Sequence, residues 1–521
     1  MREARLCGRT ILVRLRRRQL LRAGAENEVN MPIHAPFEHL EGAAPLLREL
    51  ADRMFSRTAG AALIIGNQVR LLEDGRENYP AWLAAIRAAK HHVHFENYFI
   101  YDDLIGSEFG EAFRAKARAG VRVRVIYDWL GGLGKASRRF WRTLRDAGVE
   151  VRVHNPPRLS SPTSWISRDH RKTLVVDGEV GYVTGLCVGQ MWVADPAGSA
   201  EPWRDTGVEI RGPAVAEIGR AFARSWALLG SVLPEGDSIH EPPPIGDVSL
   251  RIVASEPATA GMLRLDQLVA AIARHRLWLT DAYYSGISSY LQALSAAARD
   301  GVDVRLLVPH ATDIPLLKPF SRAGYRALLE AGVRVFEWNG TMLHAKTAVA
   351  DGRWARVGST NLNVASWLGN FELDAVIEDA AFAGQMEQLF LRDLSNSTEL
   401  VLDPHRKVYA PGQPRRPGHG IRRRSGSTST IAAGAVRIGN AVGAVLTNRR
   451  VLAPVQARLT SLVGALLCAF AVLVVVFPRA IAVPAAALAL WGGLALLWRS
   501  LQLRRRSKRA STVVVKEPEP S

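Results

Sequence analysis

The chain has 521 residues, a length that allows two or three domains, and its formal net charge is +18. Its three cysteines are odd in number and far apart, so the composition implies no disulfide framework. The basic residues are concentrated at the two ends, and residues 31–403 are net acidic. A nucleic-acid enzyme more often carries positive charge around its site, whereas a membrane-surface protein carries it beside its anchor.

Residues 1–59 are predicted to form a basic arm and lead-in. They include Arg16-Arg17-Arg18 but lack a continuous apolar core, so they do not fit a secretory signal. Two explanations stay open for residues 1–30. They form a disordered arm, or they lie upstream of a translation start at Met31.

Residues 60–240 are predicted to form a first lobe in which helices and strands alternate. The patterns predict a helix over 79–90, a strand over 91–100, a helix over 107–119, a strand over 121–127, a helix over 137–147 and a strand over 149–153. His92, His94 and Glu96 share one face of the predicted strand. A metal site needs further ligands with defined geometry, and none is evident, so we expect no metal there.

One pattern occurs twice in the chain. RDHRKTLVVDG contains His170, Lys172 and Asp177 in the spacing H-x-K-x4-D, and LHAKTAVADG repeats it with His344, Lys346 and Asp351. A single such spacing arises by chance. Two copies, each on a β-like run and each followed by a glycine-containing turn, indicate a functional site.

Alternation along a strand places His344 and Lys346 on the same face. Asp351 lies seven positions from His344 and would point to the other face, so it is predicted to support the site. An imidazole beside an ammonium group suits phosphate chemistry, because lysine neutralises phosphate oxygens while histidine attacks or transfers a proton. Backbone near Ser359 could approach an anion closely, and the Asn361 amide could donate to it.

Residues 241–403 repeat the order of the first lobe. The segment 117–128 (ARAGVRVRVIYD) corresponds to 298–309 (ARDGVDVRLLVP), and 144–155 corresponds to 328–339. The fold class predicted from this duplication is α/β, with two lobes of mainly parallel sheets packed face to face. The two motifs are expected to meet between the lobes.

These motifs resemble the signature of the phospholipase D superfamily, and RDHRK (168–172) is similar to its bacterial cardiolipin-synthase-like branch. The resemblance covers roughly residues 66–379. It implies catalytic roles for six residues: His170, Lys172, Asp177, His344, Lys346 and Asp351. It also implies phosphate-binding or orienting roles for four others: Asn361, Ser359, Asp205 and Glu372. The resemblance implies that the first histidine attacks the phosphorus and that no metal or other cofactor takes part, whereas the residues themselves do not rank the two histidines.

The first motif departs from the family pattern at two positions. Cys187 stands where the second motif has Asn361, and Thr184 replaces the first glycine of the usual pair. A thiol is a weak donor, so one amide contact to the substrate is expected to be missing.

The C-terminal part is predicted to bind a membrane. Residues 404–458 fit a basic flexible linker, and residues 459–498 contain two uncharged runs of membrane-spanning length. Residues 499–521 form a basic tail. The positive-inside rule then places both ends and the two lobes on the cytoplasmic side of the inner membrane.

The function implied by the resemblance is phosphatidyl transfer through a phosphohistidine. The expected partners are membrane phospholipids, with phosphatidylglycerol as substrate, and no nucleic acid is expected. Three alternatives stay open: a phospholipase D that forms phosphatidic acid, a nuclease of the same superfamily, and an inactive membrane scaffold.

Overall fold

A computed structural model describes residues 45–402, apart from 158–166, 194–200, 235–236, 238 and 314–316, and also residues 408–409, 490, 491, 494 and 498. The chain divides into two compact units, residues 1–51 and residues 52–521. All the strands that the structure describes belong to the second unit.

The first lobe follows helix α1 (Pro45–Ala59) and alternates strands with helices as far as β4, as predicted, before three further strands and a last helix. Its elements are β1 (Ile64–Glu73), α2 (Asp74–Ala88), β2 (His92–Asn97), α3 (Leu104–Arg118), β3 (Arg122–Asp128), α4 (Trp129–Gly132), α5 (Arg138–Asp146), β4 (Glu150–His154), β5 (Thr173–Val176), β6 (Val180–Thr184), β7 (Thr206–Arg211) and α6 (Val215–Leu228). Polar residues cap several of the helices; for example, Asp103 accepts from the first turn of α3, and Ser137 from that of α5.

The second lobe has the same order and extends it at the C-terminal end. Its elements are β8 (Val248–Ser255), α7 (Gly261–Ile272), β9 (Arg276–Thr280), α8 (Ser288–Arg299), β10 (Asp303–Pro309), α9 (Leu317–Glu330), β11 (Arg334–Trp338), β12 (Thr347–Ala350), β13 (Trp354–Gly358), β14 (Glu372–Glu378), α10 (Ala380–Ser395), β15 (Ser397–Leu402) and β16 (Val408–Tyr409). Strand β16 falls within the segment predicted to be a linker.

The strands form one mixed sheet with duplicated topology. The order is β16-β15-β11-β10-β9-β12-β13-β14-β8-β1-β7-β6-β5-β2-β3-β4, in which β8 to β14 mirror β1 to β7. Only β2-β3-β4 and β9-β10-β11 pair in parallel; every other pairing among the described strands is antiparallel. The prediction of mainly parallel sheets is therefore wrong.

Tight hairpins account for two of the antiparallel pairings. Residues 177–179 join β5 to β6 and residues 351–353 join β12 to β13, and the Asp-Gly pair that begins each connection has positive φ at both residues. Asp-Gly pairs favour tight turns whose two central residues need positive φ. Each motif strand therefore turns back on itself and cannot lead into a parallel crossover.

The two lobes share a ladder and a core. Strand β1 pairs with β8 at the junction, and buried side chains of β6 and β7 pack against those of β13 and β14 in one cluster. Val183, Val208, Val357 and Ala375 are fully buried members of this cluster. This packing brings the two motif segments to the same junction.

The predicted linker and membrane spans lie largely outside the described residues. Only residues 490, 491, 494 and 498 of the predicted pair of spans are described, and they are helical. Within the part of the chain that the structure describes, no helix combines the length and the apolar character needed to cross a bilayer.

Candidate active site

The two motif histidines lie in extended segments just before strands β5 and β12, rather than within strands as predicted. Each segment is fixed to the opposite lobe by backbone bonds. The His170 N–H donates to the Phe371 carbonyl over 2.9 Å, and the His344 N–H donates to the Arg204 carbonyl over 2.7 Å. The side chains of both histidines are consequently held at the boundary between the lobes.

Each histidine pairs with a carboxylate from the other lobe. His170 Nδ1 lies 2.9 Å from Glu372 Oε2, and His344 Nδ1 lies 2.7 Å from Asp205 Oδ2. These four side chains are buried, with at most 5% of the residue surface exposed. A carboxylate at Nδ1 fixes the ring orientation and the tautomer that carries its proton there, which directs chemistry to Nε2.

Further polar groups hold the two carboxylates. Ser359 Oγ donates to Glu372 Oε2 over 2.6 Å, and Asn370 Nδ2 donates to Oε1 over 3.2 Å. Trp192 Nε1 donates to Asp205 Oδ2 over 3.0 Å. The Ser359 hydroxyl therefore supports Glu372.

The two lysines are arranged alike in the two lobes. Each Nζ donates to the carbonyl of its own motif histidine. Lys172 Nζ lies 5.3 Å from the ring centre of Tyr98, and Lys346 Nζ lies 5.8 Å from that of Tyr283. The same tyrosines meet the histidine rings edge-on, at 5.0 Å from His170 and 5.8 Å from His344. Each tyrosine thus forms a wall of the site in its own lobe.

Burial dominates the electrostatics of the histidine in the second motif. Burial, followed by the charge of Lys346, lowers the pKa of His344 to about 4 despite the neighbouring Asp205. Burial opposes ionisation of Asp205 too, but His344 and Lys346 outweigh it, and the pKa of that carboxyl is lowered. Burial raises the pKa of Glu372.

The lysine charges also act on one another. Burial, together with repulsion from Lys172, lowers the pKa of Lys346 to about 8. Burial likewise lowers the pKa of Lys172. Cys187 is buried and feels both ammonium charges, yet burial outweighs them and raises the pKa of its thiol. The lysines and the thiol therefore share one neighbourhood, which is suited to binding an anion.

The structure does not bring Asp177 and Asp351 to this cluster. Each lies in the turn at the far end of its motif strand, and its carboxylate accepts three backbone N–H bonds of 2.7–2.9 Å from the start of a neighbouring strand. The donating N–H groups belong to residues 90–92 for Asp177 and to residues 274–276 for Asp351. Both aspartates are placed to support the fold, as strand alternation predicts for Asp351.

The remaining predicted residues have distinct surroundings. Asn361 is buried, its Nδ2 lies 3.5 Å from Ser366 Oγ, and its Oδ1 has no partner within the described part of the chain. His94 stacks between His92 and Phe222 at 4.5 Å from each ring. Glu96 faces Arg171 at 3.9 Å. Among described residues, no group of His, Cys, Asp and Glu side chains could hold a metal ion.

Comparison with known proteins decides the family. The pattern described as "Cardiolipin synthase, PLD-like domain" matches residues 82–191 and 268–394. A cardiolipin synthase of Halalkalibacterium halodurans is 32% identical over 392 residues, which cover 71% of this chain and 76% of that protein. The chain belongs to the cardiolipin synthase family. Its enzyme class is that of a phosphatidyltransferase.

Other similar proteins agree with this membership. A cardiolipin synthase of Geobacillus kaustophilus is 34% identical over 361 residues, covering 68% of this chain and 70% of that protein. The crystal structure of phosphatidylserine synthase from Haemophilus influenzae is 16% identical, with a TM-score of 0.52 over 67% of this chain and 91% of that one. At that identity the likeness shows the fold alone.

Several residues of the site are not predicted from the motifs. Tyr98 and Tyr283 follow the corresponding strands β2 and β9, so the duplicated order could have revealed them. Arg171 and Arg204 hold the opposed segments together. They lie next to motif residues, but buried arginines have no spacing signal of their own.

Proposed function

We propose that this chain makes cardiolipin by transferring a phosphatidyl group from one phosphatidylglycerol molecule to a hydroxyl group of a second. One observation carries the proposal: two imidazoles, each paired at Nδ1 with a buried carboxylate of the opposite lobe, lie beside two buried lysines. The imidazoles supply a nucleophile and a proton carrier. The lysines supply the charge that a phosphodiester needs as its oxygens approach the transition state.

In the first displacement, His170 Nε2 attacks the lipid phosphorus. A phosphorus–nitrogen bond forms, and the bond from phosphorus to the glycerol oxygen breaks. Protonated His344 gives its proton to the departing oxygen, and glycerol leaves. Glu372 stabilises the positive charge that develops on the His170 ring, while Lys172, Lys346 and the Asn361 amide bind the phosphate oxygens.

In the second displacement, a hydroxyl group of another phosphatidylglycerol attacks the same phosphorus. Its proton passes to neutral His344, the phosphorus–nitrogen bond breaks, and cardiolipin leaves with His170 restored. His344 therefore needs its proton only in the first step. A pKa of about 4 makes it neutral at rest. A bound phosphate anion offsets the lysine charges and raises that pKa toward the protonated form.

The membrane site is also proposed. Two apolar runs of 19 residues, 459–477 and 480–498, would cross the bilayer as a helical hairpin. Arginines and lysines on both sides of the pair favour a cytoplasmic location for both ends. This hairpin would tether the two lobes to the inner membrane, beside their lipid substrate.

The deciding experiment incubates membranes containing the full chain with labelled phosphatidylglycerol and resolves the products. Cardiolipin together with glycerol is expected. Phosphatidic acid would mean that water is the acceptor, and absence of both would contradict lipid chemistry at this site. A chelator should leave the yield unchanged; loss of product on chelation would contradict the phosphohistidine scheme.

Variants assign the roles of the two histidines. His170→Ala should abolish both product and protein-bound label. Asp205→Asn weakens proton transfer by His344 in both displacements, so turnover should fall roughly 10²–10⁴-fold. His91→Ala is the control, because that side chain is exposed and lies beside the Asp177 turn, at the other end of the motif strand from His170. Label retained in His170→Ala would exchange the two roles.

A further inference from the structure

One exposed surface of the first lobe combines leucine side chains with basic residues. Leu104 has 71% and Leu133 39% of its surface exposed. Lys135 and the first turns of α5, which carry Arg138, Arg139 and Arg142, lie beside Leu133 in the chain, and these three arginines are exposed. We call this set the basic–leucine surface: Leu104, Leu133, Lys135, Arg138, Arg139 and Arg142.

Two loops are joined to form this surface. The Asp102 N–H donates to the Lys135 carbonyl over 3.0 Å, and the Ser137 N–H donates to Asp102 Oδ2 over 3.3 Å. Lys135 Nζ bonds Tyr101 Oη and lies 4.5 Å from the Tyr101 ring centre. The loop that leads into α3 and the loop that leads into α5 are thereby fixed side by side.

The surface is coupled to the candidate active site. Asp128 Oδ1 accepts from the Leu130 and Gly131 N–H groups of α4, and Asp128 Oδ2 accepts from the Asp169 N–H, next to His170. A Cβ at Gly131 would lie 2.6 Å from the ring of Tyr98, which in turn contacts His170. Helix α4, which ends just before Leu133, and Tyr98 therefore connect the basic–leucine surface to the nucleophile's ring.

The charge of this surface is unbalanced. Arg138, Arg139 and Arg142 form no ion pair with any residue that the structure describes, although many other exposed arginines of the chain do, such as Arg87 with Glu108. This occurs within a part of the chain, residues 31–403, that is net acidic. Unpaired cations beside exposed leucines complement a surface that offers both anions and an apolar phase.

We propose that the basic–leucine surface docks the first lobe on an anionic phospholipid bilayer, with Leu104 and Leu133 entering the interface and the basic residues binding lipid phosphates. Basic residues near an anionic leaflet are attracted to it, and apolar side chains strengthen the contact. Nucleic acid would satisfy the cations but offers no apolar phase for the leucines. The docking deepens the proposed function, since it presents the site to its lipid substrate.

The test uses the full chain in its native membranes. A photo-crosslinking phenylalanine analogue replaces Leu104 or Leu133, and lipid adducts on the corresponding peptide are measured by mass spectrometry after irradiation. Control positions are Ile65 and Ile245, which have 69% and 58% exposure and lie near the β1–β8 junction. Strong lipid adducts at 104 and 133 alone are expected. Equal adducts at all four positions, or adducts with nucleic acid, would overturn the proposal.

A charge reversal sharpens the test. Arg138→Glu, Arg139→Glu and Arg142→Glu combined should lower the adduct yield at 133 at least about fivefold. The matched control, Lys90→Glu, Arg118→Glu and Arg299→Glu, makes the same change at exposed positions that precede β2, β3 and β10, at the opposite end of these strands from α4, and should leave the yield unchanged. An equal loss in both sets would overturn the role of this surface.

Docking and chemistry can fail separately. His170→Ala should abolish cardiolipin but keep the adducts, because docking needs no reaction. If cardiolipin forms while adducts at 104 and 133 do not exceed those at the control positions, docking is wrong and the proposed function stands. If adducts form without any transfer product, the proposed function is wrong and docking stands.

Discussion

Lys172 and Lys346 each have 1% of their surface exposed, and burial lowers the pKa of both ammonium groups. The two charges repel one another across the boundary between the lobes. Such an arrangement is unfavourable without an anion and favourable with one. The site is therefore built to gain electrostatic free energy when a phosphodiester enters it.

The pKa of Lys346 predicts an alkaline limit to activity. A lysine is charged below its pKa and neutral above it, so kcat/KM should fall above a pH of about 8. Lys346→Arg keeps its charge at high pH, so its remaining activity should persist well above that limit. Steady-state rates from pH 6 to pH 10 measure the shift. An unchanged alkaline limit in the variant would mean that another group sets it.

Cys187 stands where the corresponding residue of the other lobe is Asn361. An amide there would add a donor beside both lysines, whereas the buried thiol offers only a weak one. Cys187→Asn should therefore leave turnover unchanged or raise it. Cys187→Ser is the companion variant, because it introduces a hydroxyl group of similar size but no amide. A large loss of product formation in Cys187→Asn would reveal a role for the thiol itself.

At the scale of elements, each motif strand is part of a hairpin that fixes the histidine at one end and an aspartate at the other. Asp351 has a φ of 48° and Asp177 a φ of 54°. Aspartate tolerates this left-handed region better than most residues. The carboxylate in the turn binds the beginning of β9 or β2, so this end of the hairpin is aligned with its neighbouring strand.

This division of roles predicts that Asp351 affects stability more than chemistry. Asp351→Ala leaves three backbone N–H groups without their acceptor and should lower the free energy of unfolding by about 1–3 kcal/mol. Asp351→Asn keeps one acceptor oxygen and should cost less. Thermal unfolding in detergent measures both, and turnover per folded molecule should match the wild type.

Asp300→Asn is the matched control for the milder variant, because this residue is exposed and has an ordinary φ of −81°. Asp300→Asn should change neither the free energy of unfolding nor the turnover per folded molecule. Turnover per folded molecule that falls in Asp351→Asn as steeply as in His344→Ala would place Asp351 in the chemistry after all.

At the scale of the whole molecule, buried arginines join the lobes behind the histidines. Arg171 is fully buried and donates to the Glu372 carbonyl over 3.2 Å and to the Ser255 carbonyl over 3.1 Å, both in the second lobe. It also donates to Ala221 and Ser225 of α6 in the first lobe. The backbone of Glu372, the partner of His170, is thus tied to the first lobe.

Arg171→Lys should therefore reduce both stability and turnover. A lysine keeps the charge but cannot reach all four acceptors, and a buried acceptor that loses its donor costs about 1–3 kcal/mol. Arg356→Lys is the control: Arg356 is equally buried, but its bonds of 2.9 Å and 2.8 Å go to Asp266 within the second lobe. Both variants should unfold at lower temperature.

Only Arg171→Lys should also lower turnover per folded molecule and shift the acidic side of its pH profile, because only Arg171 positions the partner of His170. Equal turnover per folded molecule in Arg171→Lys and Arg356→Lys would show that Arg171 has only a structural role.

The sequence predicts which residues form this site better than it predicts how they pair with one another. The duplicated motifs, Asp205 and Glu372 are local patterns, so they can be identified from one chain. The pairing of each carboxylate with a histidine depends on how the lobes pack, and no local spacing in the sequence predicts that pairing. The hairpins were predictable: Asp-Gly follows both motif strands, and this pair favours a tight reversal over a parallel crossover.

The exchange of carboxylates between lobes makes the two halves mutually dependent. A fragment that ends between α6 and β8 would carry His170 without Glu372, and its complement would carry His344 without Asp205. Neither fragment could work by itself, but reassembly of the two would regenerate both pairs. A substitution that removes the carboxylate of one lobe therefore impairs the histidine of the other lobe. This dependence constrains the two repeats to evolve together.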